Sequence, residues 1–131
     1  MKKKTIWIID DDPIYQIIVN KLAEKLEIFS EISSFKNGKE AIDQIHSLIE
    51  IIENLPDVIL LDINMPIMDG WEFMDEIDNL SLILKKNIVV YIVSSSIAIE
   101  DKNKSKSYSN ILGYISKPIT INDLELIAHN D

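Results

Sequence analysis

Four places in this chain put a group that can bind or react directly after an apolar run. Asp10 and Asp11 follow Ile6-Trp7-Ile8-Ile9, and Asp62 follows Val58-Ile59-Leu60-Leu61. Ser94 ends the run that starts at Ile88, and Lys117 follows Leu112-Gly113-Tyr114-Ile115-Ser116. A buried strand that stops at an acid is costly unless the acid is paired or used. Carboxylates drawn together repel one another unless a cation sits among them. Oxygen donors without imidazole or thiolate favour a hard ion, and Mg²⁺ keeping several waters fits best. A cation held by carboxylates alone leaves room for a further ligand, commonly phosphate. Lys117 then supplies a point charge for one phosphate oxygen and Ser94 a hydroxyl for another. Asp62 becomes the nucleophile candidate, because a carboxylate can attack phosphorus and form an acyl phosphate.

Taken singly, each residue has a plainer reading. A strand-end Asp is usually a cap or turn residue, Ser94 could close a turn, and Lys117 could be a solvated cation before proline. Asp12 is better read as a helix cap than as a ligand, because Pro13 follows it. The four sites together, at the same end of successive strands, point to a shared pocket.

The elements that must carry these residues alternate short apolar runs with longer segments of helical period, the pattern of βαβ units and a parallel sheet. Strands are expected at about Thr5 to Asp10, Glu31 to Phe35, Val58 to Asp62, Ile88 to Ser94 and Leu112 to Ser116. The first helix is expected to run to about Leu26 with Ile14, Ile18, Leu22 and Leu26 on its buried face. Asn37 and Glu40 resemble a capping box for a second helix reaching about Glu53, with Ile42, Ile45, Ile49 and Ile52 inward and His46 off that stripe. Asp69 and Glu72 cap a third, with Phe73, Ile77, Leu80 and Leu84 inward. A short polar helix spans about Glu100 to Tyr108, and Thr120 with Asp123 caps a brief last one. Open α/β sheets bind ligands at the carboxyl ends of their strands, where strand order reverses. With the order 2-1-3-4-5, Asp10, Asp11, Asp62, Ser94 and Lys117 would converge there.

The whole chain limits what such a pocket can do. Its 131 residues fit one domain, 1–131, and 47% hydrophobic content is that of an ordinary globular protein. A net charge of −9 argues against direct binding of nucleic acid, which rests on Lys and Arg meeting phosphates. With no cysteine there is no disulfide framework or thiolate metal site. No apolar run approaches the roughly 20 residues that cross a bilayer. Lys2 to Lys4 resemble the start of a signal peptide, but Asp10-Asp11-Asp12 interrupts it. A cytoplasmic protein without a membrane partner is expected.

The motifs as a set resemble the receiver domain of two-component response regulators, of the chemotaxis-regulator type. They are Ile8-Ile9-Asp10-Asp11, Leu60-Leu61-Asp62-Ile63-Asn64-Met65-Pro66 with Met68-Asp69-Gly70, Val93-Ser94-Ser95, and Gly113-Tyr114-Ile115-Ser116-Lys117-Pro118. The resemblance implies a flavodoxin-like, doubly wound, five-stranded parallel sheet with helices on both faces. It implies that Asp62 accepts a phosphoryl group from a phosphohistidine on a sensor histidine kinase or histidine phosphotransfer protein. Asp10, Asp11, Asp62 and the backbone carbonyl of Asn64 would hold Mg²⁺, with Asp11 the more direct of the first pair. Ser94 would bond the phosphate and shift toward it, small Ser95 would leave access, and Lys117 would pair with the phosphate. Tyr114 would turn inward as Ser94 moves; the alternative is a half-buried strand aromatic. The Lys117-Pro118 peptide would be cis. The domain would be no enzyme beyond its own phosphorylation and dephosphorylation, and would signal to a downstream protein through its fourth-strand to fifth-strand face. Ser94 stands where the family more commonly has threonine, and Asn64 and Ser96 flank the site where such domains tune the phosphoryl lifetime.

Two other readings are open at this level. Asp10 and Asp12 satisfy the Asp-x-Asp of a haloacid-dehalogenase-like phosphatase, with Asp10 as nucleophile, but Asp62 would then have no role. A receiver-like docking module that is never phosphorylated would have no use for the full acid, hydroxyl and lysine set.

Overall fold

Apolar residues alternate between two cores on either side of one sheet, and this alternation shapes the molecule. In the computed structural model, which describes residues 2–130, β1 (Lys4–Ile9), β2 (Phe29–Phe35), β3 (Val58–Leu61), β4 (Val89–Ser94) and β5 (Ile111–Ser116) form a five-stranded sheet in the order β2-β1-β3-β4-β5. All its pairings are parallel. The ends of the expected 1–131 domain, Met1 and Asp131, lie outside the described residues. Trp7, Ile9, Ile59, Leu61, Val90 and Ile92 face one core, with α2 (Gly38–Leu48) and α3 (Gly70–Asn79). Ile6, Ile8, Val58, Leu60, Tyr91 and Val93 face the other, with α1 (Pro13–Leu26) and α5 (Ile121–His129). Strands buried on both faces read as unbroken apolar runs, as a parallel sheet requires.

The helix starts are set by local chemistry. Asp12 Oδ1 accepts from the backbone N–H of Ile14 at 2.9 Å and of Tyr15 at 3.2 Å, with Pro13 at the first helical position of α1. Asp69 and Glu72 form a reciprocal capping box on α3, and Thr120 and Asp123 another on α5. Asn37 caps α2, but Glu40 Oε1 accepts from Lys36 N–H at 3.1 Å, one residue before the expected partner.

The buried face of α1 is Val19 and Ala23, with Tyr15, Leu22 and Leu26 half-buried, whereas Ile14 (68% exposed) and Ile18 (53%) face outward. Val19 and Ala23, small enough to lie close to the sheet, set the helix's rotation. The second helix stops at Leu48, where Ile51 N–H bonds Leu48 O at 2.8 Å. A short 3₁₀ turn (Ile52–Asn54) then swings Leu55 into the core and leaves Ile52 at the surface. Ser105 ends α4 (Ile99–Ser105), and Tyr108 peels away to stack on Trp71 and donate to Asp75 Oδ1 at 2.7 Å. Leu84 lies beyond the end of α3 and is half-buried against the core. β2 begins at Phe29, ahead of the expected start.

The two edges of the sheet differ in charge. Asp10, Asp11 and Asp62 gather at the carboxyl edge, while Lys2, Lys3, Lys4 and Lys86 line a shallow hollow at the amino edge beside Glu53 and Asp57. Among the described residues, no helix is long and apolar enough to cross a membrane.

Candidate functional site

Three of the site residues are held by ladder bonds that run just past their strands. Asp10 N–H donates to Phe35 O, Asp62 N–H to Ile9 O, and Lys117 N–H to Ser94 O, all at 3.0 Å. The backbone is therefore fixed before any side chain is considered. Asp10 Oδ1 accepts from Asp12 N–H at 2.9 Å, and Asp62 Oδ1 from Ile63 N–H at 2.8 Å, which aims each carboxylate. Gly70 supports Asp62 from behind. Its N–H bonds Ile63 O at 2.8 Å, and a Cβ on Gly70 would stand 2.5 Å from the Asp62 carbonyl oxygen. Only glycine lets the start of α3 approach that closely.

Asp10, Asp11 and Asp62 bring carboxylate oxygens within 4.8 Å of one another. Asp10 and Asp62 are buried, while Asp11 faces solvent. Lys117 Nζ lies 2.7 Å from Asp10 Oδ2 and 3.5 Å from Asp62 Oδ2. Burial, then the nearby Asp10 charge, pushes the Asp62 carboxyl up from 3.8 to about 6, against the pull of Lys117. Burial also raises Asp10, outweighing its bond to Lys117. Lys117 is raised: burial opposes this, but the bond to Asp10 and the charges of Asp62 and Asp10 prevail. One lysine thus shares two buried acids and leaves the third free. Three carboxylates with no imidazole or thiolate fit a hard divalent cation such as Mg²⁺, with water reaching it from the Asp11 side.

Ser94 is buried at the end of β4, and its Oγ accepts from Ser96 N–H at 3.1 Å. Ser96 O accepts from the hydroxyl of Tyr114, half-buried on β5, at 2.9 Å, and Ser96 Oγ donates to Asp101 Oδ2 on α4 at 2.7 Å. Ser94, Tyr114 and α4 therefore meet at one loop residue. Asn64 and Ser95 are exposed, and the Lys117-Pro118 peptide is cis. Asp12 is engaged as the α1 cap, so the Asp10–Asp12 pair needed by a dehalogenase-like phosphatase is not assembled. His46 is exposed on α2, the helix of the opposite core.

Two residues escaped the sequence reading. Gln16 Nε2 lies within hydrogen-bond distance of Ile8 O, Asp10 O and Phe35 O at 3.0–3.1 Å, so it ties off the ends of β1 and β2. Tyr15 sets its ring centroid 4.4 Å from Lys117 Nζ. The available signal was their place in the first turn of a helix that begins beside Asp10 and Asp11.

Fold and pocket together define a flavodoxin-like protein with an acidic hollow and one shared lysine at the carboxyl edge of its sheet. The response regulator receiver domain family matches residues 6–129, nearly the whole chain, and the chain belongs to that family. The probable methanogenesis regulatory protein FilR2 of Methanothrix harundinacea is 26% identical over 121 residues, covering 92% of this chain and 76% of that protein. The nitrate/nitrite response regulator NarL of Escherichia coli is 32% identical over 126 residues, covering 95% of this chain and 53% of NarL. The chain thus spans about three quarters of the first relative and about half of the second. A two-component response regulator from Cytophaga hutchinsonii superposes with a TM-score of 0.85 at 30% identity, covering 95% of this chain and 93% of that one.

Proposed function

We propose that residues 1–131 act as one receiver domain that takes a phosphoryl group onto Asp62 in a Mg²⁺-dependent reaction. The observation that carries this reading is the geometry of Lys117, whose ammonium bridges Asp10 at 2.7 Å and Asp62 at 3.5 Å beside a third carboxylate. Asp10, Asp11, Asp62 and the Asn64 carbonyl would hold the ion, which screens the carboxylates from an incoming phosphoryl group and withdraws charge from its oxygens. An Asp62 carboxylate oxygen attacks the phosphorus of a phosphohistidine on a sensor kinase or phosphotransfer protein. The P–O bond forms as the P–N bond breaks, and that electron pair leaves with the imidazole nitrogen. Lys117 then pairs with a phosphoryl oxygen, which relieves its hold on Asp10. Ser94 donates a hydrogen bond from its hydroxyl to another phosphoryl oxygen. That movement pulls on Ser96 and so on Tyr114 and α4, shifting the population of the β4–β5 face that meets a downstream protein.

The exposed isoleucines of α1, Ile14, Ile17 and Ile18, follow Asp11 and Asp12 and offer an apolar landing for the phosphodonor. We place the protein in the cytoplasm, with no nucleic acid or membrane partner and no enzymatic role beyond its own phosphorylation state. Incubation with acetyl phosphate and Mg²⁺ followed by intact mass tests this reading. Wild type should gain one phosphoryl mass and Asp62→Asn none. A gain that persists in Asp62→Asn would move the acceptor elsewhere, and no gain in wild type would favour docking alone.

A further inference from the structure

Lys117 carries a flexible four-carbon stem, and two buried acids compete for its single charge. The ammonium lies 2.7 Å from Asp10 and 3.5 Å from Asp62, so any third group against it bears on where between them it rests. Tyr15 stands in the right place. Its backbone N–H is capped by Asp12 at 3.2 Å, and its body packs on the Ile6–Ile8–Val93 core. Its ring centroid lies 4.4 Å from Lys117 Nζ, within cation–π range. Its hydroxyl oxygen is buried and, among the described residues, is the one buried side-chain N or O atom without a hydrogen-bond partner. An unpaired buried hydroxyl lowers stability, so the polar tip does not explain why a tyrosine sits there. The ring face does.

We propose that Tyr15 is a positioning residue whose ring, not its hydroxyl, holds the Lys117 ammonium between Asp10 and Asp62. The ring attracts the cation electrostatically yet forms no bond that phosphate must break. When a phosphoryl group arrives, the ammonium can slide along the ring face toward it. This role rests on the phosphoacceptor reading of Asp62, but the ring–lysine contact itself does not.

The test has two arms. In the first, NMR of the unphosphorylated protein should show the Lys117 ε-methylene protons upfield of those lysines that stand over no ring, Lys102 and Lys104 lying over Tyr114 and Trp71, from the ring current. That shift should vanish in Tyr15→Leu and persist in Tyr15→Phe. In the second, the rate of acetyl phosphate-driven phosphorylation should fall about fivefold in Tyr15→Leu, and Tyr15→Phe, which restores the ring, should recover it. If Tyr15→Leu does not fold by circular dichroism, Tyr15→Met replaces it in both arms. An unshifted Lys117 in wild type overturns the proposal, as does a ring-less variant as fast as wild type. A Phe variant as slow as the Leu variant would assign the work to the hydroxyl and also overturn it. Wild type that takes up no phosphate, yet shows the shifted Lys117, would defeat the acceptor reading and leave the ring–lysine contact standing.

Discussion

Asp62 carries an electrostatic cost that can be measured. Its carboxyl is raised from 3.8 to about 6 by burial and by Asp10, so the charged form destabilises the fold. That penalty is present in full above about pH 6 and is relieved as the pH falls through the folded value toward 3.8. In metal-free buffer at pH 7, Asp62→Asn should therefore be more stable than wild type by roughly 1–3 kcal/mol. Urea melts at pH 7 and pH 4 check the sign: the gap must shrink on acidification, and a widening gap would refute the stated cause. Ile67 poses a backbone problem of its own. It is 78% exposed with φ at 71°, a left-handed conformation that a β-branched residue adopts only under strain. Ile67→Gly should raise stability by about 1 kcal/mol in the same melts, since no buried contact is lost and the strain is removed.

At the scale of elements, the pocket depends on how α1 and α3 meet the strand ends. Gly70→Ala forces a methyl against the Asp62 carbonyl, so α3 must move away and take the loop after Asp62 with it. A loss of roughly 1–3 kcal/mol is expected, together with slower phosphate uptake. Normal uptake in a stable Gly70→Ala protein would show that the close approach does not position Asp62. The strand ends and helix caps were legible in the sequence because they rest on local rules: an apolar run closed by Asp, then Asp12-Pro13, Asp69 with Glu72, and Thr120 with Asp123. The rotation of α1 was not legible. Ile14, Ile18, Leu22 and Leu26 and the true inward set are both helical stripes, and the packing of Val19 and Ala23 on the sheet, a tertiary effect, chose between them. That rotation is also what turned Tyr15 toward Lys117 and Gln16 toward three strand-end carbonyls, so both residues were missed for one reason. The apolar pattern continues through Ile49 and Ile52 and so predicts a longer second helix, while the burial of Leu55 requires the chain to turn.

Three acids, Asp10, Asp11 and Asp62, meet at one edge of the sheet, and a bound cation should offset part of their repulsion. Mg²⁺ at about ten times its dissociation constant should stabilise the fold by about 1.4 kcal/mol, seen as a higher melting temperature. Asp62→Asn should blunt that rise, because one ligand oxygen loses its charge. An equal rise in both proteins would place the ion outside the pocket.

The lysines at the opposite edge have a consequence for handling the protein. Lys86 is paired with Asp57 at 3.1 Å, but Lys2, Lys3 and Lys4 face away from the Asp10–Asp11–Asp62 carboxylates, so the sheet should behave like a small compass needle although the net charge is −9. On a negatively charged bead at low ionic strength the chain should settle lysine side down, with its acidic hollow turned to the bulk and open to whatever is flowed past.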